Sequence, residues 1–265
     1  MQLKNKVVWL TGASSGIGEA LAYALAAEGC KLVLSARRLN ELERVAKAAK
    51  LTEGNYLLLP LDLADQSNFE VKKNEVLQKF GSVDVLINNG GISQRSLAKD
   101  TGLEVDRQIM EVNYFGTIAI TKIILPQFIK QKSGMFVTVT SAVGKFGSPW
   151  RSGYSASKHA LHGFFDSLRA EHYSDNIKVL LVCPGFIQTN VSVNALTGSG
   201  EKLGTMDAAT AKGLTAEDCA AQIISGIKSE KEEIVVAGIK ESFGVWMKRF
   251  FPGIFSKMLR KMAVR

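Results

Sequence analysis

The sequence predicts an α/β fold in which one doubly wound parallel sheet of about seven strands carries helices on both faces. Short apolar runs rich in Val, Ile and Leu alternate with longer segments of helical periodicity along most of the chain. The runs are apolar throughout, as expected for parallel strands that are buried on both faces. A chain of 265 residues, 46% of them hydrophobic, is long enough for one large domain of this kind.

The predicted elements follow one another in strict alternation. Strands are expected at 7–10, 31–36, 56–61, 83–87, 135–140 and 177–183. Helices are expected at 19–28, 39–49, 69–80, 103–129 and 153–173. Folds of this class bind ligands beyond the carboxyl ends of their strands. Residues that directly follow a strand are therefore the first candidates for a functional site.

The turn after the first strand, residues 11–18, reads Thr-Gly-Ala-Ser-Ser-Gly-Ile-Gly. Glycines before a helix let a phosphate oxygen approach free main-chain N–H groups and the positive end of the helix dipole. We interpret the following residues as a pyrophosphate cradle: Gly12, Ser14, Ser15, Gly16, Ile17 and Gly18. Two alternatives stay open for this turn. Residues 12–16 also match the G-x-S-x-G of a hydrolase with Ser14 as nucleophile, and a tight turn without a ligand needs fewer glycines.

Arg37 and Arg38 follow the second strand, where an NAD-binding protein usually carries an acidic residue for the ribose 2′-hydroxyl. The first carboxylate here is Glu41. Two guanidinium groups offer forked donors to a 2′-phosphate, and cations at a helix N-terminus are not favoured for stability. The pair therefore favours NADP(H) over NAD(H), against the alternative of a solvated surface pair.

Tyr154 and Lys158 lie four residues apart, and hence on one face of a predicted helix. Reduction of a carbonyl needs a proton donor as hydride arrives, and a nearby cation lowers the pKa of a phenol by about 1–3 units. Ser141, at the end of the fifth strand, can donate a hydrogen bond to a substrate oxygen. A Y-x-x-x-K pattern is common on amphipathic helices, so its significance depends on the glycine turn and Ser141.

Together these motifs resemble the short-chain dehydrogenase/reductase family, over about residues 3–236. The family's T-G-x-x-x-G-x-G falls on 11–18, its N-N-A-G on 88–91 and its P-G-x-x-x-T on 184–189. Its Asn-Ser-Tyr-Lys tetrad falls on Asn113, Ser141, Tyr154 and Lys158. One departure is Gly90, where the family usually has Ala; it removes no polar group, and we expect no loss of activity.

The resemblance implies a Rossmann-type fold and hydride transfer between NADP(H) and a ketone, aldehyde or secondary alcohol, without a metal. Tyr154 is the implied proton donor or acceptor, Lys158 also holds the nicotinamide ribose, Ser141 orients the substrate, and Asn113 anchors a water in a proton relay. The remaining implied cofactor contacts are Asp62, Leu63, Asn89, Gly90, Pro184, Gly185, Ile187 and Thr189. The residues Leu-Ser-Ala-Arg-Arg at 34–38 are similar to those of NADP-preferring members.

Two other classes of protein are weighed against this interpretation. A serine hydrolase needs a histidine on a late loop, but His159, His162 and His172 all lie within or at the end of the helix that carries Tyr154. A non-catalytic NADP(H)-binding or scaffold protein would not need the complete tetrad. The three cysteines, Cys30, Cys183 and Cys219, are expected to be small buried hydrophobic residues.

Residues 190–215 are rich in Gly, Ser, Thr and Asn, and we expect them to form a mobile flap over the substrate. The alternative is an ordinary surface loop. With Ile92, Phe146, Trp150 and Phe186, the flap would form a mainly apolar pocket. This favours a hydrophobic or lipid-like substrate.

The basic charge of the chain is concentrated in its tail. The net charge is +8, and residues 240–265 hold seven Lys/Arg and a single acidic residue. No nucleic-acid-binding signature is visible, so we expect no nucleic-acid partner.

We expect a catalytic domain at 1–239 and a basic tail at 240–265. Apolar residues of the tail, at 243–262, predict two short amphipathic helices that either pack on the protein or lie on an anionic membrane, and the tail is similar to those of membrane-associated family members.

The first strand begins close to Met1, and no stretch reaches the ~20 uninterrupted apolar residues of a membrane span. We therefore expect a cytoplasmic protein, peripheral to a membrane if the tail binds one, and not a secreted one. The family resemblance implies a homodimer or homotetramer formed through the helices at 103–130 and 153–173.

Overall fold

Seven parallel strands form one sheet in the computed structural model, in the order β3-β2-β1-β4-β5-β6-β7. The strands are β1 (Val7–Thr11), β2 (Lys31–Ala36), β3 (Tyr56–Pro60), β4 (Val85–Asn88), β5 (Gly134–Val139), β6 (Ile177–Pro184) and β7 (Glu233–Val236). The structure describes residues 1–260. The part of the tail prediction that concerns 261–265, including Met262, lies outside the described residues. The predicted doubly wound parallel sheet is confirmed.

Helices connect the strands and cover both faces of the sheet. They are α1 (Gly16–Ala27), α2 (Leu39–Ala48), α3 (Phe69–Phe80), α4 (Leu103–Met110), α5 (Gly116–Gln131), α6 (Ser152–Glu171), α7 (Ala208–Ala211), α8 (Ala216–Lys228), α9 (Ile239–Phe250) and α10 (Pro252–Leu259). One core layer packs α1, α2 and α8 against the sheet, and the other packs α3, α5 and α6. Burial of apolar surface in these two layers is the main force that stabilises the fold.

The order in which the chain adds strands to the sheet reverses at β1, which pairs with β2 on one side and with β4 on the other. Connections from β1 and from β4 therefore leave toward opposite faces and open a crevice at the carboxyl ends of these strands. The crevice is bordered by the glycine turn after β1 and by residues 89–91 after β4. This topology brings together motifs that are far apart in the sequence.

The predicted helix at 103–129 is one helical run, but it is not a uniform α-helix. Residues Glu111–Phe115 form a π-helical turn between α4 and α5. π-Helical turns of this kind occur often at functional sites, and this one carries Asn113. The spacing of apolar residues in the sequence does not indicate this π-helical turn.

Two strand boundaries differ from the sequence prediction. β4 begins at Val85 instead of residue 83, because Asp84 uses its carboxylate to accept hydrogen bonds from Lys6 Nζ and Val7 N, each at 2.8 Å. β6 continues through Pro184, one residue beyond the prediction. Proline is tolerated at the end of this strand, where no further ladder bond from its nitrogen is needed.

The helical run 103–131 is, within the described chain, the one stretch long and apolar enough to cross a membrane by length and composition. Its residues Ile120, Ile124 and Phe128 are fully buried against the sheet. We interpret it as a core helix, because its apolar side is already covered by the strands.

The tail forms two helices, α9 and α10, that meet at Pro252. Phe255 of α10 is buried against Phe146, with ring centroids 5.0 Å apart, and both pack on Ala142. The tail is thus joined to the loop that follows β5. The three cysteines are free and buried, as expected for small core residues.

Candidate active site

The turn after β1 requires glycine at three positions, for two reasons. Gly12 and Gly16 have φ angles of +66° and +56°, which L-residues with side chains rarely adopt. A Cβ on Gly18 would overlap the carbonyl oxygen of Gly12 and lie 2.6 Å from Nδ2 of Asn89. Side chains at these positions would thus strain the turn or displace the residues that pack against it.

Helix α1 begins directly after this turn without a side-chain cap. Ser15 has the extended conformation of an N-cap residue, but its hydroxyl makes no capping hydrogen bond to the helix. The first N–H groups of a helix have no partner within the helix. An uncapped N-terminus beside a glycine turn can thus bind an anion through these N–H groups.

Thr11 and Asn89 hold the two sides of the crevice together. The Thr11 hydroxyl accepts hydrogen bonds from the N–H groups of Asn89 and Gly90, both at 3.1 Å. The Asn89 side-chain amide donates to the carbonyls of Thr11 and Gly12, both at 3.2 Å. Asn89 was predicted as a ribose contact, and the structure shows in addition that it fixes the glycine turn. The contribution of Thr11 was missed, although its position at the strand end could have indicated it.

An open cleft of about 520 Å³ lies over the glycine turn. Its lining includes Ser14, Ser15, Gly16, Arg38, Arg44 and Thr189. Arg38 therefore reaches this cleft, whereas Arg37 is exposed to solvent and does not line it. Both predicted arginines follow β2 as expected, but they do not occupy equivalent positions.

Arg44 of α2 is a cleft residue that the sequence reading missed. Its guanidinium donates to Glu19 at 2.6 and 2.8 Å, to Glu41 at 2.9 Å and to the carbonyl of Ser14 at 3.2 Å. The Arg44 hydrogen bond is the main cause that lowers the pKa of Glu19. Glu19 and Glu41, two of the three carboxylates that line the cleft, are thus paired with Arg44; the third is Glu217 of α8.

The loop after β6 closes the other side of the cleft. Gly185 donates to the carbonyl of Val236 at 2.9 Å, and Ile187 is buried in the core. The methyl group of Thr189 lies against Gly16, where a Cβ would come within 2.9 Å of it. Pro184 ends β6 next to the Ser141 side chain, which donates to its carbonyl at 3.4 Å. The predicted contacts at 184–189 thus border the glycine turn.

Asp62 and Leu63 follow β3 and border the crevice near Gly90. The Asp62 carboxylate accepts a hydrogen bond from the N–H of Ala64 at 3.0 Å. A Cβ on Gly90 would lie 2.6 Å from Cδ1 of Leu63. The glycine at position 90 is therefore matched by a leucine side chain that occupies the space of the usual alanine methyl group.

The π-helical turn places Asn113 against the loop after β4. Its Oδ1 accepts from the N–H of Ile92 at 2.8 Å, and its Nδ2 donates to the carbonyl of Ile92 at 2.9 Å and to Ser157 at 3.0 Å. Both amide protons are used, and Asn113 is fully buried. The side chain therefore joins the β4 loop to α6.

Lys158 is buried between the end of β5 and the loop after β4. Its ammonium donates to the carbonyl of Val139 at 2.9 Å. Gly91 packs closely here, since a Cβ on it would lie 3.0 Å from Oδ1 of Asn113 and 3.6 Å from Nζ of Lys158. Burial lowers the pKa of Lys158 to about 8, because desolvation disfavours the charged form.

Tyr154 lies one helical turn before Lys158, whose Nζ is 5.8 Å from the tyrosine ring centroid. Burial raises the pKa of Tyr154, and a hydrogen bond with Ser141 and the charges of Arg95 and Arg151 act in the opposite direction. Sequence reasoning assigned the lowering effect to Lys158 and did not consider the two arginines. The structure brings Ser141, Tyr154 and Lys158 together beside the β5 end.

The histidines lie on α6 or at its end, away from the glycine turn in the fold. His162 contacts Thr140 through Nε2 at 3.1 Å, His159 contacts the carbonyl of Ser155, and His172 contacts Asp175. Ser14, the nucleophile of the hydrolase alternative, follows β1 instead. The buried His162 has Cys183 near Nε2 and Glu233 near Nδ1, each at 3.8 Å. One ligand atom from each of these three side chains lies within 4.8 Å of the other two.

The comparisons with known proteins agree with this geometry. The short chain dehydrogenase family model matches residues 6–200. The Dehydrogenase/reductase SDR family protein 7-like of Anopheles gambiae is 47% identical over 266 residues, which cover 98% of this chain and 84% of that protein.

Two solved structures share the fold. A short chain dehydrogenase/reductase from Burkholderia phymatum in complex with NAD has a TM-score of 0.84 at 21% identity, over 94% of each chain. A short chain dehydrogenase from Burkholderia cenocepacia in complex with NADP has a TM-score of 0.81 at 21% identity, over 99% of this chain and 100% of that chain. The family match over most of the chain, together with the Anopheles relative, shows that this protein belongs to the short-chain dehydrogenase family of oxidoreductases.

Proposed function

We propose that this protein transfers hydride between NADP(H) and a ketone, aldehyde or secondary alcohol, with Tyr154 as the proton donor or acceptor. The observation that carries the proposal is the position of the Tyr154 hydroxyl. Tyr154 lies one helical turn from Lys158, whose Nζ is 5.8 Å from its ring centroid, and near enough to Ser141 for that side chain to lower its pKa, beside a crevice that ends in an uncapped helix N-terminus.

The residues around the crevice fit a dinucleotide. The glycines let the turn pack closely on Gly90, Asn89 and Thr189, and the N-terminus of α1 offers free N–H donors to a pyrophosphate. Ser14, Ser15 and Ile17 would join this cradle, Asp62, Leu63, Asn89 and Gly90 would border the adenosine, and 184–189 the nicotinamide carboxamide. The bound coenzyme would supply or accept the hydride.

The chain's own side chains would control the proton and the position of the substrate. The Ser141 hydroxyl would hold the substrate oxygen next to the Tyr154 hydroxyl, which would give or take the proton at that oxygen. Lys158 would contribute positive charge and a contact to the nicotinamide ribose. Asn113 would hold the β4 loop and α6 in register, and the π-helical turn would present the main-chain carbonyl that binds a relay water.

The preference for NADP(H) rests on the charges near the cleft over the glycine turn. Arg38 lines this cleft, and the exposed Arg37 precedes it in the chain. Two of the three carboxylates that line the cleft, Glu19 and Glu41, are paired with Arg44, and the third, Glu217, lies on α8. A 2′-phosphate in this cleft would therefore meet the forked donors of Arg38.

An apolar substrate is supported by the surroundings of Ser141. In the loop after β5, Phe146 packs with Ala142 and contacts Phe255 of the tail. Ile92 packs with Leu196 of segment 190–215, and Phe186 lies under Arg151. We propose that segment 190–215 acts as the flap of a catalytic domain at 1–239 and that the tail covers one side of the pocket.

We also propose that the tail contacts an anionic membrane surface. Its inner face packs through Phe255, while its outer face exposes large apolar side chains, namely Phe243, Trp246, Phe250, Phe251, Ile254 and Met258. Trp246 contacts three neighbouring aromatic rings at 5.5 to 5.8 Å. Lys and Arg residues are interspersed with this aromatic face, the combination expected of a helix that lies in the headgroup layer. The inner face of the tail thus packs on the protein, and the outer face is the one proposed to contact the membrane.

Assembly into a homodimer or homotetramer is proposed through the helical run 103–131 and α6. Leu103 and Phe115 of this run are exposed large apolar residues. Exposed apolar side chains on long helices are available for burial against a second copy of the chain.

The test is Tyr154→Phe, assayed with NADPH and a panel that holds an alkyl aldehyde, an aryl ketone and a polycyclic ketone. We expect NADPH binding, followed by its fluorescence, to stay within about threefold, and turnover to fall by at least ~10²-fold. Full turnover in this variant would refute the role of Tyr154. NADPH binding by the wild type without turnover of any panel member would instead favour the scaffold alternative.

A further inference from the structure

A buried cluster of three charged groups lies between segment 190–215 and the start of α6. Arg95, Arg151 and Asp207 are 6%, 3% and 7% exposed. Arg95 Nε donates to Oδ2 of Asp207 at 2.7 Å, and Arg151 Nη2 approaches the same oxygen at 3.4 Å. One carboxylate thus serves two guanidinium groups, and the cluster keeps a net positive charge away from water. Such a buried charge is costly unless it has a function or a partner.

The cluster borders Tyr154. Arg151 lies three residues before Tyr154, just ahead of α6, and its guanidinium is 5.6 Å from the ring centroid of Phe186. The charges of both Arg95 and Arg151 favour the phenolate form of Tyr154 and lower its pKa against the effect of burial. Two cations other than Lys158 therefore act on the tyrosine.

Residues 93–96 connect the cluster to both neighbouring elements. Gln94 is fully buried, and its Oε1 accepts from the N–H groups of Gly153 at 2.8 Å and Tyr154 at 3.2 Å, which caps α6 from outside the helix. On the other side, Arg95 N donates to the carbonyl of Leu196 at 2.8 Å. Residues 93–96 thus link segment 190–215 to the first turn of α6, the helix that carries Tyr154.

We propose that Asp207 is a positioning residue that couples the docking of segment 190–215 to the charge around Tyr154. In the docked state its carboxylate neutralises one of the two guanidinium groups, which favours the protonated phenol. When the segment moves away, both guanidinium charges act on the tyrosine and favour the phenolate. The proposal rests on the proposed role of Tyr154, because only a proton-transferring tyrosine makes this coupling useful.

The other charged groups around Tyr154 are Lys158 on α6 and Asp106 on α4. Asp106 lies against Gly153, where a Cβ would overlap its Oδ1, and burial raises its pKa. Neither group belongs to segment 190–215. Asp207 is the group of that segment whose carboxylate contacts both arginines beside Tyr154.

The test is a spectroscopic titration that needs no substrate. The absorbance of tyrosinate is followed with pH in each variant and in the same variant with Tyr154→Phe, so that the difference reports Tyr154. Asp207→Asn keeps the size and one acceptor oxygen, and we expect it to lower the midpoint of Tyr154 by about half to one pH unit. Asp218→Asn, an exposed acid-to-amide change on α8, is the matched control. Circular dichroism checks that each variant stays folded.

A second pair of variants and a proteolysis assay complete the test. Arg151→Gln should raise the midpoint of Tyr154, and Arg151→Lys should restore it. Asp207→Asn should also speed tryptic cleavage after Lys202, which is exposed in segment 190–215. Faster cleavage with an unchanged Tyr154 midpoint would overturn the coupling, as would unchanged midpoints in both Asp207→Asn and Arg151→Gln. Because this readout needs no turnover, its failure is distinct from a failure of the proposed function, which Tyr154→Phe tests by activity.

Discussion

The ammonium group of Lys158 donates a 2.9 Å hydrogen bond to the main-chain carbonyl of Val139, the last residue of β5. This bond anchors a buried cation at the end of the sheet, where the crevice opens. Burial lowers the pKa of the lysine to about 8 from its ordinary value of 10.5. The folded protein therefore holds this charge at a cost, which is typical of groups retained for function.

Replacement of this lysine should separate stability from activity. We expect Lys158→Met to abolish turnover yet raise the free energy of unfolding at pH 7 by about 1–2 kcal/mol, because the desolvation penalty disappears while one hydrogen bond to Val139 is lost. Between pH 8 and 10.5 the unfolded wild-type chain binds a proton that the folded chain has released. The stability of the wild type should therefore rise with pH in this window relative to the variant.

Urea denaturation at pH 7 and pH 9.5 measures this difference. Lys130→Met, at an exposed position of α5, keeps Lys158 and is the control, so its stability should rise between the two pH values as much as that of the wild type. A Lys158→Met variant that is less stable than the wild type by the same amount at both pH values would contradict the prediction.

The glycine turn gives a second prediction, which concerns steric overlap. A Cβ at position 18 would overlap a main-chain carbonyl that cannot move without distorting β1, so Gly18→Ala should cost about 3 kcal/mol or more of stability and abolish NADPH binding. Gly163 on α6 is a matched control, because a Cβ there meets no atom within 4 Å. Gly163→Ala should stabilise the protein by about 0.5–1 kcal/mol. Wild-type stability and NADPH binding in Gly18→Ala would show that the turn can relax.

Much of this architecture could be predicted from the sequence because its signals are local. Apolar strands, helical periodicity and the glycine turn are each encoded within 5 to 20 neighbouring residues, and a parallel sheet then places the strand ends on one edge. The grouping of Ser141, Tyr154 and Lys158 follows from that arrangement.

The features that sequence reasoning missed depend on contacts between distant segments. Arg95 reaches Asp207 across 112 positions of sequence, and Asn113 owes its setting to a π-helical turn that leaves the apolar spacing unchanged. Arg44 reaches back from α2 to Glu19, and so appears as an ordinary helix-surface residue in the sequence. Side-chain pairing across elements has no periodic signature, and only the folded geometry reveals it.

The unequal positions of Arg37 and Arg38 lead to a prediction about coenzyme choice. The double variant Arg37→Ala/Arg38→Ala should weaken NADPH binding by about 10–100-fold, the value of one or two charge-assisted hydrogen bonds, and NADH binding by less than about threefold. Because Arg38 lines the cleft, its single replacement should account for more of the loss. Fluorescence titration with both coenzymes measures the effect, and Arg107→Ala on α4 is the surface control. Equal losses for NADPH and NADH would mean that neither arginine contacts a 2′-phosphate.

The outer face of the tail gives the last prediction. A variant with Phe243→Ser, Trp246→Ser and Phe250→Ser removes exposed aromatic area but keeps Phe255, which packs on Phe146. Its stability should stay within about 0.5 kcal/mol of the wild type, since exposed side chains contribute little to folding. Its binding to vesicles of phosphatidylcholine and phosphatidylserine should fall by about tenfold or more in a co-sedimentation assay.

Salt and a second surface distinguish membrane docking from general stickiness. Because the tail is basic, 0.5 M NaCl should weaken wild-type binding to the anionic vesicles. Leu103→Ser with Tyr173→Ser removes two other exposed apolar side chains and should leave vesicle binding unchanged. If the tail variant binds these vesicles as tightly as the wild type, the aromatic face has another partner, and a concentration-dependent change in oligomeric state between the two proteins would then identify a second copy of the chain as that partner.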